Sequence, residues 1–245
     1  NGYNTNLNGQ FQNIGILHNL TIGSGGITET ADYWVTISIS GIGNALTVDA
    51  TNSSIAIGGL KFYGNGVVNL PYFVKGYNTG ISVSGDNTQI SQTGNITIKN
   101  YPGAGGIYNG GARVIGDNVS GRVDSWTTNG YDLTIWGGVD LGVASDTGGK
   151  TLNITNSNVS IGGDFKIYAS TETFTTTGST VTLDGAAAQS VTSNSKSFSS
   201  LIITNASAAG VTFADALSTA TLTDTTNAST LKFATTGTHT VSGTL

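Results

Sequence analysis

The sequence predicts an all-β fold, a right-handed parallel β-solenoid (β-helix), and three observations carry that expectation. Short apolar/polar alternations of about four to seven residues recur along the chain, among them NALTVDA, GISVSG, NITIKN, DLTIWGG, STVTLDG and STLKFAT, each closed by Gly, Asn, Asp or Ser. From Ser179 onward the apolar triads become regular, centred near Thr182, Ile202, Thr212, Thr221, Lys232 and Thr240, with one double step. Only two prolines occur, Pro71 and Pro102, so almost every residue keeps a backbone N–H for a strand ladder. A helical pattern is missing. AAAQ, Ala186 to Gln189, is too short and lies between strand-like runs.

A fourth feature is an internal echo. TNSSIAIGGLKFYG, from Thr51 to Gly64, returns as TNSNVSIGGDFKIYA from Thr155 to Ala169. The copies share turn chemistry, an alternating strand, a Gly-Gly corner and a second strand carrying Lys61 or Lys166 beside Tyr63 or Tyr168. This reads as one strand–corner–strand unit used twice. Stacked coils of roughly 20–25 residues, spaced ~4.8 Å, would give about ten coils and a rod near ~50 Å long. The alternative is two or more β-sandwich domains, immunoglobulin-like or pilin-like, because an offset of roughly a hundred residues is also one such domain.

Residues 1–245 are read as a single solenoid, with an aromatic-richer part over 1–170 and a thin Ser/Thr-rich repeat part over 171–245. The absence of Met, and a pattern still running in HTVSGTL, predict an excerpt or processed piece of a longer chain. Charged residues are 9% of the chain, far below the ~25% usual in soluble domains, and Gly, Thr, Ser and Asn take their place. Alternation with 37% hydrophobic residues argues for packed strands rather than disorder. Net charge is −5, and the nine Lys/Arg are scattered singly, so nucleic acid is not an expected partner. No apolar run approaches the ~20 residues of a membrane-spanning helix. There is no Cys, which removes disulfides and thiolate metal sites.

Residues Ser179 to Leu245, with VTLDG and AQSVT, then FSSLIITNAS, GVTFADAL and LKFATTGTHTVSGTL, resemble the repeats of large bacterial cell-surface β-solenoid proteins. Filamentous-haemagglutinin-like adhesins and autotransporter passenger domains share this style. The resemblance covers about a quarter of the chain and implies a secreted, long, adhesive or structural protein at the cell surface.

Few residues carry a chemical signature. His18 and His239 lie far apart, each without an acidic neighbour, and no G-x-S-x-G elbow accompanies them. Because pectin-acting enzymes use β-helices, a polysaccharide lyase or hydrolase is the competing reading, and it needs clustered carboxylates. ARVIGDNVSGRVDSW supplies the best acid/base candidates, Arg113, Asp117, Arg122 and Asp124, a pattern equally typical of a surface ion pair. The other acids occur singly beside turn-forming residues. Calcium-loop patterns are absent, SDTGGK (Ser145 to Lys150) reads as a turn, and GAGGIYNGGAR lacks the G-K-[ST] of a phosphate loop. No cofactor or metal is expected. WTTNGYDLTIW gathers Trp126, Tyr131 and Trp136, ordinary as core or rim packing and the strongest candidate for glycan or partner contact. The expectation is therefore a non-enzymatic extracellular rod or filament subunit. It acts by self-association with neighbouring subunits or by attachment to surface glycans.

Overall fold

The structure, a computed structural model, describes the strands between Thr5 and Gly85 and then residues 89–98, 112–114, 124–144, 149–226 and 230–245. Every strand pairing among them is parallel. The strands form three sheets of eleven, ten and seven strands, here called I, II and III. Through the first part of the chain each sheet takes every third strand, so the backbone winds I, II, III and back to I. This is a β-solenoid. The β-sandwich alternative is not adopted, because its hairpins would pair antiparallel.

The sequence alternation explains the packing directly. In Leu133–Ile135, Leu133 and Ile135 face inward and Thr134 outward, and Asn158–Ile161 and Thr180–Leu183 repeat the pattern. Coil-to-coil register then stacks Ile96, Leu133, Val159, Val181, Leu201 and Leu222 into one buried column. Each such side chain contributes roughly 1.5–3 kcal/mol by leaving water. No coil could bury its own apolar face, and stacking supplies the missing side.

Sheet III ends at Thr173–Thr175, just past the compositional shift near residue 171. Beyond it the two seven-residue strands of sheet I, Ser197–Ile203 and Ser218–Asp224, reach into the space sheet III would occupy. Thr176 Oγ1 donates to the Ser197 carbonyl at 3.1 Å, and the Phe174 and Phe198 rings lie 5.5 Å apart. Successive coils now carry two strands, which is why the triads recur at half-coil spacing. The triads near Thr182, Ile202, Thr212, Thr221, Lys232 and Thr240 all fall in strands, and Gln189–Thr192 fills the double step.

The echo has a structural meaning. In the first copy, Ser54–Ala56 lies in sheet I and Gly59–Gly64 in sheet II; in the second, Asn158–Ile161 and Phe165–Ile167 do the same. Four coils of sheet I separate them. The Gly-Gly corner of the second copy sits tightly on the coil before it: Gly162 N–H donates to the Ile135 carbonyl at 2.8 Å and Gly163 N–H to the Gly137 carbonyl at 2.9 Å. A Cβ on Gly163 would lie 2.5 Å from the Gly138 nitrogen, a backbone atom that cannot swing aside. We expect Gly163→Ala to cost about 1–3 kcal/mol by overpacking, read as a lower urea midpoint at unchanged slope.

Polar side chains also join coils. Asn95 Oδ1 accepts from Asp132 N–H at 3.0 Å, and Asp132 Oδ1 accepts from Asn158 N–H at 3.2 Å. Asp164 Oδ1 accepts from Ser190 N–H at 2.7 Å, and Asp215 Oδ1 from Ser193 N–H at 3.0 Å. Asp132, Asp164 and Asp215 thus each tie one coil to its neighbour.

Candidate functional site

The aromatic stretch WTTNGYDLTIW spans the corner from the sheet III strand Ser125–Thr127 to the sheet I strand Leu133–Ile135. Asn129 and Gly130 turn the chain there with φ of 54° and 84°, a left-handed region that Asn and Gly enter at low cost. The turn divides the three aromatics. Trp126 is fully buried, and its indole Nε1–H donates to Gln92 Oε1 at 2.8 Å inside the core. For Trp126 the core-packing reading holds, because strand alternation turns it inward, and it is not a direct glycan contact. Tyr131 and Trp136 remain outside, 40% and 51% exposed.

Of the four acid/base candidates the structure describes Arg113 and Asp124. Arg113 lies in the sheet II strand Ala112–Val114, in register with Asp140 on the next coil. Asp117 and Arg122 lie outside the described residues. Asp124 is fully buried, so the reading of it as a surface ion-pair partner is corrected, and a polymer at the surface cannot meet its carboxylate directly.

Asp124 belongs to a set that the sequence reading did not anticipate. Asp124, Lys150 and Glu172 each stand immediately before a sheet III strand, Ser125–Thr127, Thr151–Asn153 and Thr173–Thr175. Register places them one above another: Thr151 N–H donates to the Asp124 carbonyl at 2.9 Å and Thr173 N–H to the Lys150 carbonyl at 2.7 Å. All three are at most 1% exposed, an acid–base–acid ladder in the core. The Glu172 carboxylate accepts from the Lys150 backbone N–H, and it sits against Gly142, whose φ of 80° and missing Cβ leave room for it. Lys150, the last residue of SDTGGK, is a core residue. The sequence signal was the charge directly ahead of each of SWT, TLN and TFT. Among the described residues no group of three or more His, Cys, Asp or Glu side chains gathers as a metal site.

The last coil has its own character. Leu231–Phe233 ends sheet II and Thr240–Val241 ends sheet I. The Phe233 ring stacks on Phe213 at 5.2 Å and 19°, yet Phe233 is 43% exposed where Phe213 is 1% exposed. Both sit in the same column, in register on neighbouring coils. His239 fastens the coil rather than forming a nucleophile–base pair. Its Nδ1 accepts from Leu217 N–H at 3.1 Å, and Nε2, which then carries the proton, donates to the Ala234 carbonyl at 3.0 Å. His18 lies outside the described residues. No protein-family model matches this sequence, and comparison with curated proteins and with solved structures gives no match.

Proposed function

We propose that the chain is a structural or adhesive rod segment of a bacterial cell-surface protein, working by mechanical extension and by end-on association rather than by catalysis. The observation that carries this reading is the all-parallel stack, in which three sheets run coil on coil around a continuous buried apolar column. Ladders of this kind can be extended by further strands, and a second copy of this chain is the partner we propose. Extracellular placement is part of the same proposal and rests on the resemblance of residues 179–245 to surface solenoid repeats.

Negative-stain electron microscopy and sedimentation of the protein over a concentration series test this reading. The expected result is thin rods that join end to end as concentration rises. Particles that are not rods, or a wild type that stays monomeric throughout, would defeat it. Labelling of intact source cells by antibody checks the location.

A further inference from the structure

The corner that carries Tyr131 also forms a groove of about 270 Å³ on the outside of the stack, lined by Thr127, Asn129, Gly130, Asn153, Thr155 and Asn156. We propose that this groove is a binding site for a neutral oligosaccharide. The inference stands apart from the end-on association above and survives its failure.

Lining chemistry selects the ligand class. Three of the six residues are asparagines, two are threonines, and none is charged. A primary amide offers a donor pair and an acceptor side by side, which matches neighbouring sugar hydroxyls, each able to accept and donate. The groups are not used up internally. Asn153 Oδ1 accepts from Thr155 N–H at 3.1 Å and from Thr155 Oγ1 at 2.7 Å, which leaves its Nδ2 to the groove. Asn129 uses Nδ2 on Ser91 Oγ and on the Gln92 carbonyl, both at 2.8 Å, and keeps Oδ1 as an acceptor. The side-chain amide of Asn156 makes no hydrogen bond among the described residues, and its Oδ1 lies against Gly178, where a Cβ would collide with it.

These amides are held in place by the fold. Asn129 and Asn156 occupy corresponding turns of successive coils with nearly equal left-handed φ, 54° and 57°. Their turns are locked by Thr128 N–H to the Asn153 carbonyl and Asn156 N–H to the Thr177 carbonyl, both 2.9 Å, and by a buried Thr128–Ser157 hydroxyl pair at 2.7 Å. A site whose groups are fixed before the ligand arrives loses little ordering entropy on binding. Tyr131 follows Gly130 directly in sequence and is 40% exposed.

The test is calorimetric titration of the whole chain with cellohexaose, maltohexaose and chitohexaose as neutral probes and hexagalacturonate as the acidic one. At least one neutral probe is expected to bind, and hexagalacturonate to bind more weakly. Asn156→Gly keeps the left-handed turn and removes one amide. Asn153→Asp keeps the Oδ1 contacts to Thr155 and removes the donor. Each is expected to lower affinity by about tenfold or more, the size of one good hydrogen-bonded contact, with circular dichroism unchanged. Absence of binding by all three neutral probes overturns the proposal. So does binding that neither variant weakens, or a preference for the acidic probe.

Discussion

Lys150→Met is expected to destabilise the fold by about 3–5 kcal/mol, the usual consequence of removing one partner from a buried charge set. Among the described residues Lys150 is the cation that stands between Asp124 and Glu172 in the ladder, and all three are withdrawn from water. Lys150→Met leaves two carboxylates two coils apart in the core and removes the cation between them. Against a total stability of roughly 5–15 kcal/mol the loss is large enough to bring the chain near unfolding at room temperature. The triple variant Asp124→Asn, Lys150→Met, Glu172→Gln discharges the whole column and leaves an acceptor for the Lys150 backbone N–H. It is expected to recover at least half of the loss. Urea titrations of wild type, single and triple variants decide it. A single variant as stable as wild type, or a triple variant no better than the single, contradicts the ladder's energetic role.

Phe165→Ala should produce a loss of similar size, about 3–5 kcal/mol, by transfer and cavity effects together. Phe165 is 2% exposed, and its ring centroid lies 5.1 Å from Phe174 and 5.5 Å from Phe198. The three rings fill the place where sheet III ends and the long strands of sheet I take over its space. Close by, an apolar gap of about 10 Å³ is lined by Trp126, Leu152, Ile154, Phe165 and Phe174 among others, so packing here already lacks slack to absorb a deletion. Phe165→Leu keeps most of the volume and is expected to cost clearly less. Thermal and urea unfolding of the two variants give the comparison. Equal losses would mean that volume is not what Phe165 supplies.

Much of the architecture was legible because a solenoid writes its period into the sequence. Alternation in TVTL or NVSI marks which residues face inward, and the recurrence of I-G-G marks a corner where successive backbones touch. The change from three strands per coil to two was visible only as a shift in composition, since SFSSLII reads equally well as one strand or as two joined. The candidate site was less legible. Spacing in WTTNGYDLTIW shows three aromatics close in sequence, but a single strand residue decides that Trp126 goes in, whereas Tyr131 and Trp136 stay out. Asp124, Lys150 and Glu172 are 22 to 26 residues apart, and the groove amides of Asn129 and Asn156 a similar distance, so register alone brings them together. One sequence gives coil length only approximately, and that uncertainty hides which side chains become neighbours.

Coil length in fact varies widely without disturbing the stack. Ile96 pairs with Leu133, 37 positions on, whereas Thr180 pairs with Ser200, only 20 positions on, and both contribute to the same sheet. The extra chain of the long coil falls between strands that keep their partners on both sides, since Ala112–Val114 and Ser125–Thr127 stay paired above and below. Lengthening a connection that already leaves and rejoins the ladder adds only about 0.6 kcal/mol of closure entropy per doubling. The connections that join Ile96–Ile98 to Ala112–Val114, and Ala112–Val114 to Ser125–Thr127, are therefore natural insertion ports, where a grafted peptide or a small folded domain could be presented at a fixed height along the stack.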